Sequence, residues 1–269
     1  MEGTGVVEAA SGEASQPGRL PGRAILRPVP VPVPDLVIAL VVTVLSVAVQ
    51  GAIGFGMSIF AVPLLSLVNP LLAPVPQLVI AVPMALTMLL RERHAFDLRG
   101  FGWVISGRLA GTFAGLWLLV IATQRSLSLM IALIVLFAVA IVATGMSLPR
   151  TPATSLAAGT VSGIAGIVAA LGGPPVALLY RNERGPLVRS SLGAVLGFGT
   201  AVALIIRAAG GRVLWAEIQV GLLLMPAMAL GLWLSGRFLS RMDGEVLRRS
   251  ILVLAALAAA ALLARTLLG

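Results

Sequence analysis

The chain has 269 residues, of which 59% are hydrophobic and only 11% are charged, and its mean hydropathy of +1.06 lies far outside the range of soluble globular domains. The formal net charge of +9 comes from arginines that sit mostly in short segments between apolar runs, so it indicates a membrane border and not a nucleic-acid surface. Cysteine is absent, which excludes disulfides, thiolate catalysis and cysteine-ligated metal sites.

Residues 1–35 differ in kind from the rest of the chain. They mix Gly, Ser, Glu, Pro and Arg, and they close with prolines that alternate with valine from Pro28 to Pro34, a pattern that favours polyproline II over helix. We expect a disordered, Pro-rich N-terminal tail that is not a secretory signal peptide. An incorrectly assigned start codon is the alternative explanation.

Eight apolar segments follow the tail and predict an all-α, polytopic membrane protein. They cover residues 36–68, 71–90, 101–123, 126–148, 151–180, 187–206, 218–236 and 250–264. Most are close to the roughly 20 residues that an α-helix needs to cross a hydrocarbon core of ~30 Å. The first and fifth are too long for simple spans, because as straight helices they would reach about 50 and 45 Å.

The two long segments carry glycines and a proline at matching places. The pairs lie 112 residues apart and are Gly51 with Gly163, Gly54 with Gly166, and Pro63 with Pro175. Further pairs lie 116 residues apart, namely Arg91 with Arg207 and the run 115–118 with 231–234. This order predicts two four-segment transmembrane repeats, residues 36–148 and 149–269, whose first segments are broken by glycine.

Loop charge predicts how the two halves are oriented. If all eight segments crossed, the arginine-rich loops 91–99 and 181–189 would lie on opposite sides, against the positive-inside rule. If the first and fifth segments are re-entrant hairpins with limbs of about 15 residues, three crossings remain in each half. The second half is then inverted, and both loops share the cytoplasm with Arg150 and residues 237–249. We favour this topology, which leaves the tail outside.

The two glycine breaks form the predicted substrate site, because unwound backbone inside a membrane must face a polar cavity. A helix that restarts after a break directs free N–H groups and its positive dipole end at the cavity, which favours an anion. Such a helix is predicted at the double proline 174–175. The predicted substrate-binding residues are Gln50, Gly51, Gly54, Phe55, Gly56 and Ser58 in the first break, and Ser162, Gly163, Gly166, Gly172, Gly173 and Pro174 in the second.

Helix packing is the alternative role for glycines in membrane segments. We expect packing, and not a site, for two further sets of glycines at helical spacing, which are Gly107, Gly111 and Gly115, and Gly193 and Gly197.

Arg108 completes the predicted site. It lies about nine residues, or ~13 Å, inside the third segment, where a charge is costly unless it faces a cavity or a partner. It either neutralises a bound anion or extends to the membrane interface. Arg189 and Arg207 lie nearer to segment ends and are expected to be interfacial anchors.

No Asp or Glu lies within an apolar segment, which argues against a carboxylate proton relay or a cation site in the membrane. The sequence also has no paired carboxylates and no cluster of metal ligands. We therefore expect a protein that is not an enzyme and has no cofactor and no metal site.

At these residues the chain resembles the TauE/SafE family, the sulfite exporter-like membrane proteins that are also described as sulfonate uptake permeases. The resemblance rests on the glycine-rich first segment running into residues 63–65, on Gly172 to Pro175 in the second half, and on the duplicated layout across about residues 36–268. Phe55 and Met57 depart from the family's denser glycine cluster. The resemblance implies a transporter of small sulfur-containing anions, such as sulfite, organosulfonates or sulfoacetate. We expect it to be an exporter in the cell membrane.

Two other functions stay open at this point. One is a membrane accessory or binding subunit that transports nothing. The other is an exporter of an unrelated small solute, such as a cation or an amino acid, against which Arg108 and the lack of intramembrane carboxylates count. A homo-oligomer is also left open.

Overall fold

The computed structural model describes residues 31–96, 98, 100–237 and 244–268, and the regular elements in these residues are all helical. The helices are α1 (Val33–Ile53), α2 (Met57–Val68), α3 (Val75–Arg91), α4 (Phe101–Ile121), α5 (Gln124–Thr144), α6 (Pro152–Ala169), α7 (Gly173–Ala177), α8 (Gly185–Ala209), α9 (Trp215–Leu223), α10 (Met225–Arg237) and α11 (Gly244–Leu268). Eight stretches in the described chain are long and apolar enough to cross a membrane, and α9 with α10 forms one of them. The prediction of an all-α, multi-pass membrane protein is confirmed.

Helix α1 begins at Val33, earlier than the first apolar segment predicted. Pro34 lies in its first turn, where a missing N–H breaks no hydrogen bond, so the proline does not prevent the helix. The predicted boundary at residue 35 therefore falls inside α1. Residues 1–30 of the predicted tail lie outside the described residues.

The first long segment folds as two antiparallel limbs, α1 and α2, joined by a three-residue break. Gly54 and Gly56 have φ angles of +104° and +116°, a backbone region that residues with a Cβ rarely adopt. The Asn69 amide donates to the Asp35 carboxylate at 3.0 Å, so the segment returns to the end of the bundle at which it began.

The limbs of this first segment have 21 and 12 residues. The expectation of two limbs of about 15 residues is therefore wrong. At ~31 Å, α1 alone is long enough to cross a membrane. How deeply the turn enters the membrane stays a prediction.

The second long segment doubles back in the same way. Helix α6 has 18 residues and ends before Ala170, which has a φ of +54°. Helix α7 then begins at Gly173 with two prolines in its first turns, as the sequence predicts. The Leu148 N–H donates to the Leu178 carbonyl at 3.0 Å, so the residues before α6 and after α7 lie together.

Contacts between loops define two ends of the bundle. At one end, which we call the arginine end, Arg189 bonds Glu92 through Nε at 3.1 Å and Nη2 at 2.7 Å, and Arg150 pairs with Glu183. The opposite end is marked by hydrogen bonds from arginine to carbonyl oxygen, among them Arg265 to Leu67, Arg125 to Leu267 and Arg212 to Val120. Three of the segments that the charge pattern assigns to the cytoplasm, the loop at Glu92, Arg150 and the loop at Glu183, thus meet at the arginine end.

The packing of the helices relates the two halves of the chain. Helix α1 packs on α10 as α6 packs on α4, while α3 packs on α8 and α5 packs on α11. The counterparts in the two halves are α1 and α6, α3 and α8, α4 and α9–α10, and α5 and α11. If each helix is exchanged for its counterpart, the same set of packed pairs results. An inverted repeat requires such a pattern, so the packing supports the predicted duplication.

The helix ends of the two halves correspond at an offset of 116 residues and not 112. Helices α1 and α6 end before Gly54 and Ala170, and α2 and α7 follow Gly56 and Gly172. Gly166, the predicted partner of Gly54, lies inside α6. The two offsets differ by four residues, which is about one helical turn. Positions matched at 112 and at 116 residues therefore lie on the same face of the helix.

Candidate functional site

Arg108 is the eighth of 21 residues in α4 and is only 1% exposed, although it carries a charge. Its guanidinium donates a short hydrogen bond to the Ser162 hydroxyl of α6 and a longer one, 3.4 Å, to the Thr200 hydroxyl of α8. Its Nε atom has no hydrogen-bond partner among the described residues. The alternative in which this side chain extends to the interface is therefore wrong.

Three glycines make room for this guanidinium. A Cβ atom would lie 3.3 Å from Nη2 at Gly166 and 2.7 Å from Nη2 at Gly172, and at Gly199 it would overlap the Nε atom. The Ser162 hydroxyl also donates to the Gly172 carbonyl at 2.6 Å. Arg108 is thereby joined to the second break through Ser162 and Gly172.

A small cavity of about 30 Å³ lies between the two breaks. From the first break it is lined by Gln50, Gly56, Met57 and Ser58, and from the second by Ala170, Leu171, Gly172, Gly173 and Pro174. Thr200, a partner of Arg108, also lines it. The structure therefore brings together six of the predicted residues, which are Gln50, Gly56, Ser58, Gly172, Gly173 and Pro174.

Gln50 has a structural role at this cavity. Its Oε1 atom accepts a hydrogen bond from the Met57 N–H at 3.0 Å, although the two residues are separated by the break. This N–H is one of the free donors at the start of α2, and Gln50 caps it.

The other predicted glycines lie outside the cavity lining. Gly51 faces Ser235 of α10, and a Cβ at Gly163 would lie 2.7 Å from the Thr112 nitrogen of α4. Gly54 lies against α8, where its Cβ would be 3.4 Å from Arg189 Cγ. Gly51 and Gly163 therefore allow close packing of helices, the role that the sequence analysis gave to other glycines.

That packing role is confirmed for the two sets expected to have it. At Gly107, Gly111 and Gly115 the nearest atoms to a Cβ belong to α6, and at Gly193 and Gly197 they belong to α3.

A larger cavity of about 390 Å³ lies at the arginine end, and we call it the vestibule. Phe55 and Pro174 line it together with Arg181 and Arg189. Pro174 also lines the small cavity, and a Cβ at Gly173 would lie 3.1 Å from Phe55 Cβ. Phe55, another predicted residue, therefore stands where the vestibule meets the two breaks.

The charge of Arg108 is not compensated by a nearby carboxylate in the described structure. The ion pairs found there are Arg150 with Glu183 and Arg189 with Glu92, and both lie at the arginine end. A buried guanidinium held only by hydroxyls, with one N–H unpaired, can accept an anion.

Comparison with protein families gives one decisive match, because the family model described as "Sulfite exporter TauE/SafE" matches residues 38–262. The chain belongs to this family. The match spans nearly all the described helices, including both breaks. No match was found among curated proteins or among solved structures.

TauE/SafE proteins are membrane transporters, so this chain is a transporter and not an enzyme. Within the TauE/SafE fold, the sequence analysis missed Thr200 and Gly199, the residues of α8 that touch Arg108. The only indication of these contacts in the sequence was a threonine inside an apolar segment. Arg207 was assigned to the wrong environment, because it is only 4% exposed and bonds the Ile167 carbonyl at 2.8 Å.

Proposed function

We propose that this TauE/SafE protein exports a small sulfur-containing anion, sulfite or a simple organosulfonate, across the cell membrane. The observation that carries the proposal is Arg108, a buried cation beside the second break with an unpaired N–H and no carboxylate partner in the described residues. A buried charge of this kind is costly unless a ligand compensates it. A compact oxyanion offers the acceptor oxygens that a guanidinium binds best.

The size of the small cavity indicates what must move. Its volume of about 30 Å³ is only two to three times the roughly 10–15 Å³ that a cavity needs to hold a single water molecule. An anion with several oxygens therefore needs the two breaks to separate before it reaches Arg108. The vestibule, which is about 390 Å³, has room for the anion before that step.

The orientation follows from the positive-inside rule, which assigns the arginine end to the cytoplasm. The vestibule would then receive the anion from inside the cell. Because the chain has no cysteine, single cysteines can report the orientation in intact cells. An impermeant thiol reagent should label Arg212→Cys from outside and leave Glu183→Cys unlabelled, and the reverse result would overturn this orientation.

The proposed function is tested by flux of radiolabelled sulfite and of a simple sulfonate in proteoliposomes, with and without a pH gradient. Arg108→Gln should lower the flux by roughly tenfold to a hundredfold, since a hydrogen bond to a charged group contributes about 1.5–3 kcal/mol. Arg125→Gln is the matched control, because it also removes an arginine from a membrane helix but at the exposed start of α5.

Three results of this flux experiment are informative. A selective loss in Arg108→Gln supports both the substrate and the site. Normal flux in Arg108→Gln would contradict the site and leave the substrate. No flux of any sulfur anion under either condition would contradict the substrate and leave the family.

A further inference from the structure

Arg207 joins the end of one broken helix to its neighbour at the opposite end of the bundle. It lies in the last turn of α8 and is 4% exposed. Its Nη1 atom donates to the Ile167 carbonyl at 2.8 Å, and its Nε atom donates to the Arg212 carbonyl at 2.9 Å. Ile167 lies in the last turn of α6, where carbonyl groups lack partners within the helix. The bond therefore holds the helix end next to the second break.

Arg91 is the counterpart of Arg207 in the other half, at the offset of 116 residues that relates the helix ends. It lies in the last turn of α3, and the counterpart of Ile167 is Gly51, in the last turn of α1. Arg91 and Gly51 line the same cavity of about 120 Å³ at the arginine end. Arg91 is exposed and makes no hydrogen bond to a described residue.

Of the two equivalent contacts, the one from Arg207 at the opposite end is thus formed, and the one from Arg91 at the arginine end is not. This difference matches the cavities, because the vestibule and the cavity beside Arg91 both lie at the arginine end. In a transporter built from inverted repeats, the two halves exchange conformations when the open side changes. The state open to the opposite end should therefore contain the bond that is missing here.

We propose that Arg207 and Arg91 are paired latches that position the two broken helices alternately. In the state described here, Arg207 holds the α6 end and closes the opposite end. In the other state, Arg91 donates to the Gly51 carbonyl and closes the arginine end, while Arg207 releases Ile167. The proposal goes beyond the proposed function and does not depend on which anion is carried.

The helix packing gives each latch the right position to act. Arg207 and Arg91 lie on α8 and α3, which pack on each other between the two halves. Their acceptors lie on α6 and α1, which pack mainly on α4 and α10. Each latch therefore connects the central pair of helices to one of the two outer pairs, and breaking it lets that pair move.

The test measures which end is open, without any substrate, by cysteine labelling from each side of proteoliposomes. Val188→Cys reports the vestibule, which this residue lines. Ala203→Cys reports the opposite end, because Ala203 is 1% exposed and packs with Ile167 in a buried cluster. Each reporter is the only cysteine in its chain.

Arg207→Gln should shift the equilibrium by roughly tenfold to a hundredfold toward the state that is open at the opposite end. This is the size expected for the loss of one hydrogen bond from a charged donor. Labelling of Ala203→Cys then becomes faster and labelling of Val188→Cys becomes slower. Arg91→Gln should do the reverse and slow labelling of Ala203→Cys. The double variant should return toward the wild-type ratio, and Arg207→Lys should restore part of the latch.

Arg91→Gln tests the latch proposal even if Arg207→Gln does not insert into the membrane, because Arg91 is exposed and lies at the far end of the bundle from Ala203. Its effect on that reporter has to come from a change of state. Arg265→Gln is the control, since it removes another arginine-to-carbonyl bond at the opposite end without touching α6. The proposal is overturned if both single variants shift the two reporters in the same direction, or if Arg91→Gln leaves Ala203→Cys labelling unchanged.

Discussion

Gly172→Ala should abolish most transport by displacing the Arg108 guanidinium. The backbone at Gly172 has ordinary helical angles, so alanine is not strained there. Its Cβ, however, would overlap the Nη1 atom and would lie 2.7 Å from Nη2, so the guanidinium would have to move by at least about 0.7 Å to reach the 3.4 Å at which ordinary contact begins. The guanidinium cannot retreat, because its Nε lies against the backbone of Gly199. A shift of this size removes the bonds to Ser162 and Thr200 or tilts them out of range.

The expected loss is one or both of these hydrogen bonds, roughly 1.5–3 kcal/mol each for a charged donor, and hence a fall of roughly tenfold to a hundredfold in sulfite flux. Gly166→Ala is the matched control. Its Cβ would lie 3.3 Å from the same Nη2 atom, a distance that a shift of a few tenths of an ångström relieves. We expect its flux to stay within about threefold of wild type.

The measurement is sulfite flux in proteoliposomes at matched protein density, with thermal unfolding in detergent as a check on folding. If Gly172→Ala folds normally and keeps more than half of the flux, the position of the guanidinium does not matter for transport. If Gly166→Ala is equally damaging, the steric reasoning fails, because only one of the two substitutions closes on the guanidinium.

Three further predictions concern Phe55 between the two cavities, the contact between α4 and α6, and an ion pair at the surface. Phe55→Ala should open the vestibule to the small cavity, so that an impermeant thiol reagent labels Ser58→Cys faster than it does when Phe55 is present. Equal labelling rates would show that Phe55 does not separate the two cavities. Gly107→Leu should prevent stable insertion, since even a Cβ atom at this position would lie 2.9 Å from a backbone carbon of α6. Gly102→Leu should express normally, because the space around Gly102 is open. Arg189→Gln removes an ion pair about a quarter exposed and should change the unfolding free energy by less than about 1 kcal/mol; a larger change measured by chemical denaturation would contradict this.

Hydropathy and loop charge predicted more of this protein than the glycine spacing did. The all-α class and the grouping of the loops near Glu92 and Glu183 at one end follow from composition and from the cost of placing charge in a membrane. The limb lengths of the breaks could not be predicted in this way. They depend on tertiary contacts such as the bond from Asn69 to Asp35, which joins residues 34 positions apart.

The site was predictable where a residue is chemically unusual and not where it is ordinary. Arg108 could be found because an intramembrane charge is rare. Thr200 could not, because a threonine in a membrane helix usually bonds its own backbone and carries no sign of a partner on another helix. Arg207 was placed at an interface because sequence gives its distance from the helix end, whereas its burial depends on α6 packing beside it.

The backbone contact between α4 and α6 has a consequence for the electrical behaviour of transport. Helices whose backbones touch at Gly107, Gly111 and Gly163 leave few side chains between them to rearrange, so we expect the pair to move as one body, with Arg108 and Ser162 on it. A monovalent anion bound to Arg108 would then cross the membrane field together with a fixed positive charge. Since the field acts on the sum of the two charges, the loaded step should depend little on voltage. The return of the empty protein should instead carry about one positive charge, worth ~2.3 kcal/mol per 100 mV if it crosses the whole field.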